Sequence, residues 1–193
     1  FGDEMALMID SSSLYRTHAD ALRVGRVVDD LDFFWYEDPM HDGGVSEQAT
    51  KKLVAELDTP MLGLEHVRTG PYGTVDSLAN GSTDLVRASA HLDGGITGAL
   101  KTAEAAEAFG CDVELLLGGP SHIHLMSALR NSNFFEHGLL HPEGTWILNQ
   151  GFEGEPESID EDGRMPVPDG PGLGVDIDWS FVERRRTGHT LFE

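Results

Sequence analysis

Short apolar runs alternate with longer amphipathic segments along most of this chain, and that alternation constrains its fold more than any other feature. The apolar runs that we predict as β-strands cover residues 5–9, 33–36, 61–64, 84–88, 112–117 and 133–135. The segments in which apolar residues recur at helical spacing cover residues 18–31, 47–57, 97–109 and 122–130. Strands that alternate with helices indicate a parallel sheet with right-handed crossovers, so we expect an α/β fold.

The pattern changes beyond residue 140. Residues 154–174 are rich in glycine, proline and acidic residues, which is typical of an extended surface excursion. We therefore predict one α/β portion over residues 1–145 and a C-terminal extension over residues 146–193.

Charge excludes one large class of function. The chain has 34 acidic and 13 basic residues, which gives a formal net charge of −21. Such a surface repels phosphate backbones, so we expect no nucleic-acid partner. Repulsion at this density destabilises a compact fold in dilute buffer, and concentrated salt screens it. An acid-rich, lysine-poor composition is typical of halophiles, although an ordinary acidic protein is the alternative.

The remaining composition indicates a globular domain. The chain has 193 residues, of which 39% are hydrophobic and 24% are charged. This length and composition are sufficient for a domain with a hydrophobic core. The longest apolar runs are too short to span a membrane, and no secretory leader opens the sequence. The single cysteine, Cys111, excludes an internal disulfide and fits a reducing cytoplasm. The chain begins with Phe1 rather than methionine, so we expect a fragment or a processed product.

Three acidic residues, Asp10, Glu37 and Glu65, each follow a predicted strand directly. They are separated by 27 and 28 residues, which is one strand–helix unit each. Because the carboxyl ends of parallel strands meet at one end of a sheet, we expect the three side chains to converge. A helix cap explains any single one of them, but three in register favour a shared site.

Three converging carboxylates indicate a bound cation. Like charges held together are costly unless an opposite charge neutralises them. Carboxylate oxygens without histidine or cysteine favour Mg²⁺ or Mn²⁺ over zinc. The sequence therefore predicts a divalent metal site, with Mg²⁺ as the expected ion and Asp10, Glu37 and Glu65 as its ligands.

Short motifs occur in order along the chain at Leu7–Asp10, Trp35–Pro39, Gly63–Glu65, Gly94–Gly98 and Asn131–Glu136, with His141 and Pro142 following. The first three resemble the metal-ligand strands of the enolase superfamily, mandelate racemase subgroup. The fourth resembles the sixth-strand loop of that subgroup, and the last resembles its sugar-acid dehydratase branch. The resemblance covers residues 5–178, essentially the whole chain.

The resemblance implies a function. It implies an Mg²⁺-dependent dehydratase that removes the proton alpha to a carboxylate and eliminates water, converting a sugar acid into a 2-keto-3-deoxy acid. Gluconate, galactonate and xylonate are the expected kinds of substrate, and a homo-oligomer is the expected assembly. A racemase or isomerase with the same first step is one alternative. A non-catalytic homologue that binds an acid sugar is another.

Two further residues are candidate catalytic groups. Glu136 matches the eighth-strand acid that contacts the substrate carboxylate in the family, although a strand-end cap explains it equally well. His66 directly follows Glu65 and is a candidate acid or substrate contact. We also predict that Arg87, inside a strand, pairs with an acid at the barrel wall.

The match departs from the family in two respects. Leu116 and Ser89 stand where the family has a seventh-strand histidine and the aspartate that orients it, so the expected proton-transfer pair is absent. A complete barrel also requires about 250 residues. We therefore predict a partial TIM-type (β/α) barrel, comprising about strands three to eight. The first strands and the capping domain are missing, and the C-terminal extension returns towards that cap. This chain alone is expected to be an incomplete enzyme.

Overall fold

The computed structural model describes residues 5–67, 70–137 and 151–190. The chain divides into two compact units. The first comprises Phe1–Leu116 and Leu129–Phe134, and the second comprises Leu117–Ala128 and Phe135–Glu193. The predicted boundary between residues 145 and 146 falls outside the described residues, as do His141 and Pro142.

The first unit is a half-barrel of five parallel strands. They are β1 (Met8–Asp10), β2 (Trp35–Glu37), β3 (Met61–Gly63), β4 (Leu85–Ala88) and β5 (Val113–Leu115). Each strand pairs with its sequence neighbours, in the order β1-β2-β3-β4-β5. The predicted α/β fold and partial barrel are therefore confirmed.

Helices follow the strands. Those of the first unit are α1 (His18–Asp30), α2 (Glu47–Glu56), α3 (Gly70–Asn80) and α4 (Gly95–Ala108). The second unit contains α5 (Pro120–Ala128) and α6 (Trp179–Arg185). Among the described residues, none of the helices combines the length and the apolar composition that a membrane crossing requires.

The alternation of side chains along each strand separates two apolar clusters. On the helix-facing side of the sheet, Tyr36 and Met61 pack with Leu53 of α2 and with residues of α1. Trp35, Leu62 and Leu85 form a second cluster, with Met8 against it. Since neighbouring residues of a strand face opposite ways, this second cluster lies on the inner wall of the half-barrel, below the strand ends that carry the acids.

The prediction of a sixth strand at residues 133–135 is wrong, because these described residues form no strand. The backbone N–H groups of Asn133 and Phe134 donate to the carboxylate of Glu114 on β5, each at 3.2 Å. These two N–H groups, which a β-strand would donate to a neighbouring strand, are therefore hydrogen-bonded to a side chain instead. Helix α3 was not predicted, since two glycines and a proline in its first turn are poor helix formers.

Candidate metal centre

The strand register brings the three predicted ligands to one end of the half-barrel. Asp10 ends β1 and is paired in register with Glu37, which ends β2. Glu65 follows β3 by two residues. The charges of Asp10 and Glu65 both raise the pKa of Glu37, which requires that they lie near its carboxylate. The three acids therefore lie at the same end of the sheet. Among the described residues, however, the potential ligand atoms that all lie within 4.8 Å of one another belong to Asp38, Glu65 and His66. A metal site formed by Asp10, Glu37 and Glu65 stays a prediction.

These three residues differ in exposure. Asp10 is exposed, Glu65 is half-buried and Glu37 is only 1% exposed. Leu64, between β3 and Glu65, has a φ of +76°, in the left-handed region that residues other than glycine rarely adopt. The chain therefore turns sharply directly before Glu65, and the strict alternation of the strand ends there.

A buried ion pair holds the middle acid of the trio. Arg87 on β4 donates from Nε to Oε1 of Glu37 at 2.6 Å and from Nη2 to Oε2 at 2.8 Å. Nη1 also donates to the carbonyl oxygen of Leu115 at 3.4 Å, and the guanidinium lies 5.7 Å from the ring centroid of Trp35. This two-pronged geometry fixes the plane of the Glu37 carboxylate. It also supplies the acid partner that the sequence predicted for Arg87.

The environment of Glu37 raises its pKa to about 7. Burial is the main cause, since it penalises the charged form of the carboxyl group. The hydrogen bonds and charge of Arg87 lower the pKa, and the nearby Asp10 and Glu65 raise it. Glu37 therefore exchanges a proton near neutral pH, unlike an ordinary exposed glutamate.

Asp38 is a further acidic residue of the site that the sequence reasoning missed. It is 2% exposed, and its Oδ2 has no hydrogen-bond partner among the described residues. Burial, followed by the charges of Glu37 and Glu65, raises its pKa to about 8. Its position directly after Glu37 was a visible signal, but strand alternation predicts that neighbouring side chains face opposite ways. The φ of +31° at Asp38 breaks that rule.

His66, a predicted catalytic residue, lies beside this cluster. Its Nε2 is 3.9 Å from Oε1 of Glu65, and its side chain is 38% exposed. One potential ligand atom from each of Asp38, Glu65 and His66 lies within 4.8 Å of the other two. This group of potential ligand atoms therefore contains an imidazole nitrogen, whereas the sequence predicted a group of carboxylates alone.

The positions that the family resemblance assigns to proton transfer hold no titratable group. Ser89 follows β4 and Leu116 follows β5, and both side chains are buried. The backbone N–H of Leu116 donates to the carbonyl oxygen of Ala88. Glu136, the other predicted catalytic residue, belongs to the second unit, where it is half-buried. Its assignment as a substrate contact stays a prediction.

The donor chemistry of the site fits a divalent cation. The charges of Asp10 and Glu65 raise the pKa of both Glu37 and Asp38, and the charge of Arg87 lowers that of Glu37. The Oδ2 of Asp38 is a buried acceptor without a hydrogen-bond partner in the part of the chain that the structure describes. Oxygen-rich donor sets of this kind suit Mg²⁺ and Mn²⁺.

Comparison with known proteins gives consistent matches. The family model described as enolase C-terminal domain-like matches residues 1–181. L-talarate/galactarate dehydratase of Salmonella typhimurium is 31% identical over 176 residues, which are 91% of this chain and 41% of that enzyme. Arabinonate dehydratase of Saccharolobus solfataricus is 28% identical over 182 residues, which are 91% of this chain and 46% of that enzyme.

Solved structures match as well. The crystal structure of D-glucarate dehydratase from Agrobacterium tumefaciens, complexed with magnesium, superimposes with a TM-score of 0.88 at 35% identity. That match covers 97% of this chain and 48% of the other. The chain therefore spans less than half the length of each of these three relatives.

Proposed function

Because the chain belongs to the enolase C-terminal domain-like family, we propose that it is the metal-binding part of an Mg²⁺-dependent sugar-acid dehydratase. The resemblance that the sequence motifs indicated is confirmed by this membership. The relatives reported above are dehydratases of sugar acids, which supports that substrate class. The reaction that we propose removes the proton alpha to a carboxylate and eliminates water to give a 2-keto-3-deoxy acid.

One observation supports the proposal: Asp10 and Glu37 end two neighbouring parallel strands and Glu65 follows the next, so all three lie at the same end of the sheet. These residues would hold Mg²⁺. Once bound, the ion supplies a positive charge that stabilises negative charge developing on the substrate carboxylate during proton removal. The three residues end or follow three successive strands, so the strand order fixes their backbone positions relative to one another.

The protein's own groups then have separate tasks. Arg87 fixes the Glu37 carboxylate from below and holds it in one plane. His66 is the proton donor or acceptor that we propose at the edge of the basin, because Ser89 and Leu116 cannot exchange a proton at neutral pH. We further propose Glu136 as a substrate contact.

Domain organisation completes the proposal. We propose that residues 1–145 contribute the barrel portion and that residues 146–193 form an extension that returns towards a capping domain. The short length of the match to each relative supports this arrangement, since the remaining part of a relative exceeds half of its chain.

A second candidate function is a non-catalytic homologue that binds an acid sugar. The buried, neutral Ser89 and Leu116 at the expected proton-transfer positions favour it. A racemase or isomerase, the other alternative, needs the same first proton removal and therefore also needs a base.

An assay on a panel of sugar acids separates these candidates. The protein is incubated with gluconate, galactonate, xylonate and related acids, with Mg²⁺ or with a chelator, and 2-keto-3-deoxy product is measured. A dehydratase gives Mg²⁺-dependent product from at least one acid. Exchange of the alpha proton for deuterium without keto acid indicates the racemase or isomerase. Saturable binding of an acid with neither product nor exchange indicates the non-catalytic homologue and contradicts the dehydratase.

A further inference from the structure

Asp38 contains a buried carboxylate oxygen without a donor. The residue is 2% exposed, and the backbone N–H of Glu65 is a hydrogen-bond donor to its carboxylate. The other oxygen, Oδ2, has no partner among the described residues. A buried, unpaired carboxylate oxygen is costly, and a cation beside it removes that cost.

Glu65 and His66 place two further donor atoms beside Asp38. One potential ligand atom from each of the three residues lies within 4.8 Å of the other two. Ligands around one ion are about 3–4 Å apart, because metal–oxygen and metal–nitrogen distances are about 2.1 Å. The side chain of His66 is 38% exposed, so a small rotation of its imidazole can close the difference.

The loop after β2 keeps His66 over the cluster. A Cβ added to Gly43, which has a φ of +69°, would lie 2.8 Å from Cβ of His66. A Cβ added to the next residue, Gly44, would lie 3.5 Å from Oδ1 of Asp38. Two consecutive glycines therefore allow the backbone to approach both the histidine and the aspartate, which packs the loop against them.

Glu37, a proposed ligand of Mg²⁺, is not a member of this second group. Both of its oxygens accept hydrogen bonds from Arg87, at 2.6 and 2.8 Å. Asp38 and His66 lie outside the proposed Mg²⁺ trio, and each places a potential ligand atom beside Glu65. We propose that Asp38, Glu65 and His66 form a second cation site, adjoining the Mg²⁺ basin and selective for a first-row transition-metal ion.

The donor set explains that selectivity. Mg²⁺ prefers an all-oxygen shell and keeps several of its waters, whereas an imidazole nitrogen suits Mn²⁺, Co²⁺, Zn²⁺ and similar ions. The site rests on the proposed function in two respects, since Glu65 is shared with the trio of Asp10, Glu37 and Glu65, and His66 is also the proposed proton donor or acceptor.

Titrations with Co²⁺ and with Mg²⁺ test this proposal. Co²⁺ is the probe for the second site, because nitrogen ligation changes its visible absorption spectrum. Isothermal calorimetry measures the affinity of each ion for the wild-type protein, for His66→Ala and for Asp38→Asn. His189→Ala is the matched control, since His189 is exposed and lies in the second unit.

The expected result is a Co²⁺ affinity at least about tenfold weaker in His66→Ala, with loss of the nitrogen-sensitive absorption. Mg²⁺ affinity should change less than about twofold in that variant, and His189→Ala should leave both ions unaffected. Asp38→Asn should also weaken Co²⁺ binding. His66 is exposed enough for its variant to fold even if the buried Asp38→Asn change disturbs the structure.

Unchanged Co²⁺ affinity in His66→Ala would overturn the second site, as would a wild-type protein that fails to bind Co²⁺. Absence of Mg²⁺ binding while His66→Ala still weakens Co²⁺ binding has a different meaning. That result counts against the proposed dehydratase and supports the second site, so the two proposals fail separately.

Discussion

Arg87 forms a buried ion pair with Glu37, the middle acid of the candidate metal centre. Their side chains are 8% and 1% exposed, and Nε and Nη2 of Arg87 both donate hydrogen bonds to the Glu37 carboxylate. A buried pair of this kind contributes little compared with an apolar pair, but removal of one partner leaves an uncompensated charge. The orientation of the central ligand therefore depends on one basic residue from another strand.

We expect Arg87→Met to lower the free energy of unfolding by roughly 3–5 kcal/mol, because Glu37 then lies buried without its partner. Urea unfolding at about pH 8 measures the loss. The double variant Arg87→Met with Glu37→Gln should recover a large part of it, since the unpaired charge is gone. If the double variant is no more stable than Arg87→Met alone, the ion pair does not explain the cost.

Proton binding in this cluster should make stability depend on pH. Burial raises the pKa of Glu37 to about 7 and that of Asp38 to about 8, whereas both return to about 4 in the unfolded chain. The folded state therefore binds more protons between these values, and stability falls as pH rises. Without divalent ions, we expect a loss of roughly 2–4 kcal/mol between about pH 5.5 and 8.5.

Denaturant unfolding at a series of pH values checks this dependence. Glu37→Gln and Asp38→Asn should each flatten the curve, because each removes one of the titrating groups. Saturating Mg²⁺ should reverse the trend, since an ion that binds ionised carboxylates stabilises the folded state more at higher pH. A wild-type curve that stays level, or rises, over this range would contradict the assigned pKa directions.

At the scale of helices and strands, the hydrophobic pattern predicted what depends on local spacing. The five strands, and the position of Asp10, Glu37 and Glu65 at one end of the sheet, follow from the recurrence of apolar runs. Helix α3 did not follow, because Gly70, Pro71 and Gly73 have low helix propensity and tertiary contacts stabilise it instead.

Other features depended on contacts between distant residues. The prediction of a sixth strand was wrong because the backbone N–H groups of residues 133 and 134 donate hydrogen bonds to the Glu114 carboxylate. Asp38 was missed because its left-handed backbone conformation is set by the surrounding loops. The spacing of apolar residues does not reveal a positive φ at a residue other than glycine. It also does not reveal a carboxylate that takes the place of a neighbouring strand.

Helix α3 should depend on one residue of α2. The carboxylate of Glu47 accepts hydrogen bonds from the hydroxyl of Ser77 and the amide of Asn80, both at 2.8 Å. We expect Glu47→Ala to destabilise the fold by roughly 2 kcal/mol, because hydrogen bonds to a charged group are lost. Hydrogen exchange should accelerate in α3 more than in α4.

A matched control for this prediction is Glu104→Ala, which removes an exposed glutamate from α4. We expect it to change stability by less than about 0.5 kcal/mol. Equal effects of the two substitutions would mean that loss of negative charge, rather than loss of the contacts to α3, determines the result.

For the whole molecule, the net charge of −21 is the dominant property. Self-repulsion of this size opposes compaction, and screening by salt relieves it. The halophilic interpretation and the expected homo-oligomer stay predictions. Both concern the assembled protein, and the chain spans less than half the length of the relatives reported above.

We expect the melting temperature to rise by at least about 5 °C between about 0.1 and 2 M KCl, because screening weakens the repulsion among acidic side chains. Differential scanning calorimetry measures the shift. An uncharged osmolyte at the same osmolality is the control for solvent exclusion. Equal stabilisation by the osmolyte, or indifference to KCl, would contradict the electrostatic explanation.

The proposed metal centre requires that the carboxylates of Asp10, Glu37 and Glu65 bind Mg²⁺, and a calorimetric Mg²⁺ titration measures this directly. We predict saturable binding to the wild-type protein. We also predict an affinity at least about tenfold lower in Glu37→Gln, since this substitution removes a ligand charge while keeping its shape. Glu104→Gln, an exposed change on α4, should bind Mg²⁺ as the wild type does. No binding by the wild type, or equal binding by Glu37→Gln, would contradict the metal centre.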